Sequence, residues 1–161
     1  TEKIREISDK NNVKYISIQD CVINYLNKNN INDFAFLGIS FVSPFNEWSA
    51  FKKLQYYNIE KIPDEILEKI VKLAYKVKTE GVNQTGLQQL SNLINKNIQS
   101  KYIIIALTEI SLLFEFNKKI QKSNNIYIDT LNLYAESISD EYLLQLKINK
   151  SYDYSSTKNY E

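Results

Sequence analysis

The chain of 161 residues is 43% hydrophobic and 24% charged, as in an ordinary globular domain, and its formal net charge is +1. This near-neutral charge and a single arginine, Arg5, argue against a nucleic-acid-binding protein. The absence of histidine excludes a Ser-His-Asp triad and a histidine-ligated metal. The one cysteine, Cys21, lies on a predicted apolar helix face, so we expect it to be a buried structural residue. A single cysteine forms no internal disulfide, so we expect the protein in the cytoplasm or another reducing compartment. No apolar run is as long as a membrane span and no signal-peptide pattern opens the chain, so we expect no membrane contact.

Extended and helical patterns alternate along the chain. Apolar residues three or four apart indicate helices, and short β-branched or aromatic runs indicate strands. Up to residue 61, we predict a helix end at 1–8, a strand at 13–18, a helix at 21–28 capped by Asp20, a strand at 33–38, a turn at 39–43, a helix at 46–56 and an extended piece at 58–61. Two helices follow, one at 63–80 stopped by Gly81 and one opened by a capping box at 85–88. The rest of the pattern predicts a strand at 102–106, a helix from 108, a strand at 126–128 and a last helix capped by Asp129. The pattern predicts one α/β domain over 1–149, with a parallel sheet and helices on both faces. Residues 150–161 lack aliphatic side chains and predict a disordered tail.

Residues 101–114 carry the clearest functional signal. A buried strand at 102–106 is followed closely by the polar residues Thr108 and Glu109 and then by an apolar helix start. Ligands of open α/β sheets bind outside the carboxyl ends of the strands, where a following helix offers free N–H groups and the positive end of its dipole. Thr108 and Glu109 are therefore candidate ligand-binding residues. Their structural interpretation is a helix cap and a first-turn acid.

The same stretch resembles the second catalytic motif of the aspartate/glutamate racemase family: a hydrophobic strand, a small residue, then Cys-Thr-Glu. Here the motif reads Ala106-Leu107-Thr108-Glu109, with leucine in the cysteine position. Phe34-Ala-Phe-Leu-Gly38 resembles the family's strand ending in Leu-Gly-Thr. Ile128-Asp-Thr130 and Tyr134-Ala-Glu136 resemble its Asp-Thr strand end and His-Ala-Glu helix. The resemblance covers residues 14–146 and implies a Rossmann-like C-terminal half of a racemase, without the family's first half.

The family's chemistry is a racemisation that needs no cofactor and no metal. One thiolate takes the Cα proton from one face of the amino acid, and a thiol from the other half returns a proton to the opposite face. The resemblance implies an acidic amino acid bound by Thr108 and Glu109 on one turn and by Ser40 and Ser43 on a neighbouring turn. Because Leu107 cannot hold a proton, we interpret the chain as a degenerate racemase-like domain that is inactive alone.

Two other interpretations stay open. The chain is either half of an amino-acid racemase completed by a missing N-terminal segment or a partner chain, or a structural subunit of a larger assembly. In the family, the segment at 13–18 and the last helix pack towards the first half. Without that half, the resemblance predicts an open apolar face that includes Ile16, Ile18, Leu131, Ala135 and Ile138. Such a face predicts a homo-oligomer or a partner chain.

Overall fold

Four parallel strands form one sheet in the computed structural model, which describes residues 2–116 and 125–156, with side chains described over residues 3–115 and 125–147. In spatial order β2-β1-β3-β4, the strands are β1 (Asp33–Leu37), β2 (Asn58–Glu60), β3 (Tyr102–Ile105) and β4 (Ile126–Asp129). The helices are α1 (Glu2–Lys10), α2 (Ile18–Lys28), α3 (Asp64–Glu80), α4 (Gln84–Asn97), α5 (Thr108–Phe116) and α6 (Thr130–Ser156). Two 3₁₀ turns, Ser40–Val42 and Lys52–Tyr56, lie between β1 and β2.

Helices cover both faces of the sheet. Successive strand residues point to opposite faces, so each central strand supplies two layers of the core. Ala35, Leu37, Ile103 and Ile105 pack in one cluster with residues of α3, α4 and α5. Phe34, Phe36, Ile104 and Ile128 pack in a second cluster with residues of α2, the 3₁₀ turn at 52–56 and Leu133 of α6. The predicted α/β fold, with a parallel sheet covered on both faces, is confirmed.

Hydrogen bonds to Glu60 join the end of the edge strand β2 to the segment that leads into β3. Its carboxylate accepts hydrogen bonds from the backbone N–H of Gln99 at 2.9 Å and of Ser100 at 2.7 Å. Burial acts to raise the pKa of Glu60, but hydrogen bonds from the Ser100 side chain and from the two backbone amides outweigh burial and lower the pKa. Glu60 therefore stays ionised at neutral pH and holds two segments 39 residues apart in sequence.

The predicted strand at residues 13–18 is wrong. Residues 13–17 have no regular secondary structure and join no strand of the described sheet, and α2 begins at Ile18 with Ser17 as its N-cap. The β-branched residues favour an extended backbone, yet the segment meets helices rather than a sheet edge: Lys14 pairs with Glu141 of α6. Val13 is 61% exposed, so burial gives it no reason to join the sheet.

The predicted helix at residues 46–56 is also wrong, because only the 3₁₀ turn at 52–56 forms there. Local side-chain hydrogen bonds compete with helix formation in this loop. Trp48 N–H donates to Asn46 Oδ1 at 2.9 Å, and Phe51 N–H donates to Ser49 Oγ at 2.9 Å. Each bond spans two residues, as in a turn.

The helix caps were predicted with mixed success. Asp20 lies inside α2 and forms ion pairs with Arg5 and Lys53 instead of capping the helix. The cap of α4 is Asn83, whose Oδ1 accepts the Gly86 N–H at 2.8 Å, so the capping box predicted at 85–88 starts two residues too late. Asp129 does cap α6, since its Oδ1 accepts the Leu131 N–H at 2.9 Å.

The last helix is longer than the sequence predicts. α6 continues to Ser156 and so includes residues 150–156 of the predicted tail. Residues 157–161 of that tail lie outside the described residues. Gly81 follows α3 with a φ of 80°, a conformation that glycine adopts without strain, which agrees with its predicted role as a helix stop.

Candidate functional site

The carboxyl ends of β1 and β3 meet at the point where the chain changes direction across the sheet. After β1 the chain moves to β2 on one side, and after β3 it moves through α5 towards β4 on the other side. A hydrogen bond of 2.8 Å from Ala106 N–H to Leu37 O joins the two strand ends. Divergent connections of this kind leave a crevice in which open α/β sheets bind ligands. The predicted site residues follow these two strands.

Thr108 and Glu109 form the first turn of α5. The Thr108 hydroxyl donates to a Glu109 carboxylate oxygen at 2.9 Å. Thr108 is exposed and Glu109 is half-buried, so both side chains reach solvent at the carboxyl end of β3. The hydroxyl does not cap the helix, because the residue before it, Leu107, occupies the cap position and its carbonyl accepts the N–H groups of Ile110 and Ser111. Glu109 fits the structural interpretation of a first-turn acid.

Leu107 is half-buried and packs against the core cluster on the α3–α5 face of the sheet. Its side chain therefore adds apolar contact at the base of the turn. An aliphatic side chain has no group that can take or give a proton at neutral pH, so no proton transfer can pass through this position.

Ser40 and Ser43 belong to the short turn after β1. The Ile39 carbonyl accepts the N–H groups of Val42 at 3.0 Å and Ser43 at 3.1 Å, which closes the turn. Ser40 is exposed and Ser43 is half-buried, with its hydroxyl oxygen 3.4 Å from the Phe45 N–H. The turn thus offers hydroxyl groups.

A groove of about 1080 Å³ opens beside this turn, at the carboxyl ends of β1 and β2; we refer to it as the β1–β2 groove. Its walls are the 38–46 segment and the outer face of α3. Ser40 and Ser43 line it together with the charged residues Glu60, Lys61, Asp64, Glu68 and Lys72. Thr108 and Glu109 do not line this groove. The structure therefore brings the two predicted turns to the same edge of the sheet but places only one of them in the groove.

The α3 wall of the β1–β2 groove was missed by sequence reasoning. Asp64 and Glu68 were predicted only as part of a helix, because a helical pattern does not say which sheet edge its polar face overlooks. The opposite wall carries Phe45, which is 68% exposed, and Phe41 and Trp48, 61% and 82% exposed, lie in the same loop. The signal that could have identified this wall is the density of large aromatic residues in a segment with turn-forming Ser, Pro and Asn.

Cys21 does not line the β1–β2 groove. Cys21 is buried on α2, as predicted for a structural residue. Over residues 2–116 and 125–156, no group of three or more His, Cys, Asp or Glu side chains could hold a metal ion. Within the same ranges, no helix is long and apolar enough to cross a membrane.

A search of solved structures found a similar fold in the crystal structure of a candidate Asp/Glu racemase from Yersinia pestis, with a TM-score of 0.66 and 16% sequence identity. The fold is racemase-like. The alignment covers 87% of this chain and 61% of that protein, so the chain spans less than two thirds of its length. No protein-family model matches the sequence, and no curated protein matches it.

Proposed function

We propose that this chain is a degenerate aspartate/glutamate racemase-like domain that binds an acidic amino acid and does not racemise it alone. The observation that carries the proposal is Leu107, an aliphatic residue at the turn where the resemblance expects the catalytic cysteine. Racemisation by two bases needs a protonatable group on each side of the Cα atom. The sequence has no histidine, and its one cysteine is buried on α2.

The binding part of the proposal rests on the two turns at the sheet edge. The Ser40 hydroxyl can donate a hydrogen bond to a carboxylate. Glu109 repels a carboxylate, so we assign it to the ammonium group of the ligand. In the β1–β2 groove the three acids Glu60, Asp64 and Glu68 outnumber the two lysines, and this favours placing the ligand on the β3 side of the 40–43 turn rather than deep in the groove.

Hydrogen exchange tests the catalytic part. Incubated in D₂O with L-aspartate or L-glutamate, the chain is expected to leave the Cα proton signal at the level of the buffer blank in NMR spectra. Leu107→Cys should not restore exchange, because one thiol cannot serve both faces of the Cα atom. Exchange by the natural chain that disappears in Glu109→Gln would overturn the proposal.

Ligand titration tests the binding part. Acidic amino acids should shift the backbone amide signals of both turns in ¹⁵N-labelled chain, and Glu109→Gln should weaken the response by about tenfold, the loss of one charged contact. Trp48, the only tryptophan, is a second probe, since it is exposed in the loop that follows the 40–43 turn. Glu47→Gln in the same loop removes an equal charge and serves as the control. Shifts restricted to other surfaces would place any ligand elsewhere.

A second candidate is a racemase half that is completed by another segment or chain. The observations that favour it are the match to only 61% of the Yersinia pestis protein and the exposed apolar stripe on α6. A product extended by any residues encoded before Thr1 should then exchange the Cα proton while the 161-residue chain does not. If neither product binds or exchanges an amino acid, the structural-subunit interpretation takes precedence.

A further inference from the structure

A groove of about 460 Å³ between α3 and α4 is lined by lysines, and we refer to it as the lysine groove. Lys69, Lys72 and Lys76 reach it from α3, and Lys96 reaches it from α4. The three lysines on α3 are spaced three and four residues apart, which places them on one face of the helix. No acidic residue of the described chain lines this groove.

The positive charge of the lysine groove is poorly compensated. Among the described residues, no ion pair involves Lys69, Lys72 or Lys96. Lys76 faces Glu80 at 3.8 Å, an exposed pair that contributes little. α4 carries no acid at all, since Lys96 is its only charged residue. Four lysine side chains around one concave site repel one another and concentrate the field that attracts an anion.

The other lining residues determine which kind of anion fits the lysine groove. Leu73 and Leu93 supply an apolar part of the wall, and the side chains of Gln89 and Asn92 supply amide donors and acceptors. Lysine offers a compact charge that suits phosphate groups, and the volume lies within the usual range for small-molecule sites. A simple carboxylate would use the charges but leave the apolar wall uncovered.

We propose that the lysine groove binds a small phosphorylated molecule with an apolar ring system, as in a nucleotide. The phosphate groups contact the lysines of α3 and α4, and the ring covers Leu73 and Leu93. This site lies between two helices on one face of the sheet, away from the turns at the carboxyl ends of β1 and β3, and Lys72 is the one lining residue that it shares with the β1–β2 groove. It does not depend on the function proposed above.

Isothermal titration with magnesium-free ATP, inorganic pyrophosphate and adenosine tests the proposal. ATP should bind more tightly than pyrophosphate, since only ATP covers the apolar wall, and adenosine should show no binding. Amide signals of α3 and α4 should shift in NMR spectra of the ATP complex. Raising the salt concentration should weaken binding, because the attraction is between charges.

A pair of double variants tests whether ATP binds in the lysine groove or binds to positive charge anywhere on the surface. Lys69→Gln with Lys96→Gln removes two groove charges and should weaken ATP binding at least about tenfold, the effect of 1.4 kcal/mol. Lys52→Gln with Lys78→Gln removes two exposed lysines outside the groove and should leave binding within about twofold of the natural chain. All four side chains are exposed, so both variants should fold.

Three results would overturn the proposal. The first is no binding of ATP at millimolar concentration. The second is an equal loss of affinity in the two double variants, which would indicate non-specific attraction. The third is a single-stranded oligonucleotide that displaces ATP and binds far more tightly through Lys69 and Lys96, which would assign the groove to a nucleic acid.

Discussion

Gly38 and Gly86 differ in what surrounds the position of a Cβ atom. A Cβ at Gly38 would lie 2.6 Å from Phe36 Cε1 and 2.8 Å from Val42 Cγ2, both closer than real contacts allow. A Cβ at Gly86 would find its nearest neighbour, Asn83 Oδ1, at an ordinary 3.4 Å. Close packing therefore requires glycine at position 38, at the start of the candidate site, whereas position 86 has room for a side chain.

The same substitution at the two glycines should have opposite effects. Gly38→Ala is expected to lower the free energy of unfolding by about 1–3 kcal/mol, as overpacking usually does, and to disturb the 40–43 turn. Gly86→Ala should raise the free energy of unfolding by at most about 1 kcal/mol, since alanine has the higher helix propensity. Urea unfolding of both variants measures the difference. If Gly38→Ala is as stable as the natural chain, the close packing around Gly38 is wrong.

At the scale of elements, the sequence correctly predicts the segments whose buried apolar residues follow a regular pattern along the chain. β1 and β3 are buried on both faces, so their apolar runs are unbroken and easy to identify. The 13–18 segment was misjudged because a distant contact with α6 helps to decide it, and the 46–56 segment because local side-chain bonds to the backbone compete with the helix.

The candidate site could be predicted only in part, for a related reason. The rule that strand ends bind ligands points to Thr108 and Glu109, and the family resemblance adds Ser40 and Ser43. The α3 wall of the β1–β2 groove depends on β2 lying at the edge of the sheet next to β1, which no local pattern states. The lysines of α3 and α4 likewise join into one groove only when the two helices pack together.

The contact between β2 and the segment before β3 gives a pH-dependent prediction. The pKa of Glu60 is lower in the folded chain than its ordinary value of 4.5, so its stabilising effect is complete above that value and is lost as the pH falls through the folded pKa. At pH 7, Glu60→Gln should lower the free energy of unfolding by about 1 kcal/mol, a partial loss because glutamine still accepts hydrogen bonds.

Urea unfolding at several pH values checks this effect. The gap between the natural chain and Glu60→Gln should narrow as the pH falls below about 4.5, where the unfolded-state carboxyl begins to take up a proton. Glu47→Gln is the matched control, since Glu47 is exposed in the loop before α3, and it should change stability by less than about 0.5 kcal/mol. A gap that stays constant from pH 7 to pH 3 would contradict a role for the ionised Glu60.

At the scale of the whole molecule, α6 leaves an apolar stripe uncovered. Leu131, Ile138, Tyr142 and Leu146 are 46%, 43%, 64% and 40% exposed, and Ala135 lies exposed between the first two. The open face predicted on the last helix is therefore present. Ile16 and Ile18 differ from the prediction, since both are half-buried and Ile18 packs against the core cluster on the α2 face.

The stripe has the geometry of a self-association surface. Its residues recur at spacings of four, three, four and four, which matches the seam between two packed helices. Two copies of α6 packed antiparallel and centred near Tyr142 would place Glu136 of one copy close to Lys147 of the other. Both side chains are exposed in a single copy. A second copy therefore covers the apolar stripe and pairs its flanking charges, and twofold symmetry repeats each contact.

We accordingly expect the chain to form a dimer at micromolar concentration, which sedimentation equilibrium can measure. Ile138→Ser with Tyr142→Ser should shift the equilibrium to monomer, because it removes apolar contact from the centre of the stripe while leaving the buried core intact. Leu112→Ser, at a residue 54% exposed on α5, is the control and should remain dimeric.

A charge exchange tests the pairing of Glu136 with Lys147. Lys147→Glu alone should weaken the dimer, because it places two negative charges together. Adding Glu136→Lys in the same chain should restore the dimer, because each pair again joins opposite charges. A natural chain that stays a sharply melting monomer at tens of micromolar would show that the stripe needs no cover, and both the homodimer and the missing-half interpretations would lose their structural support.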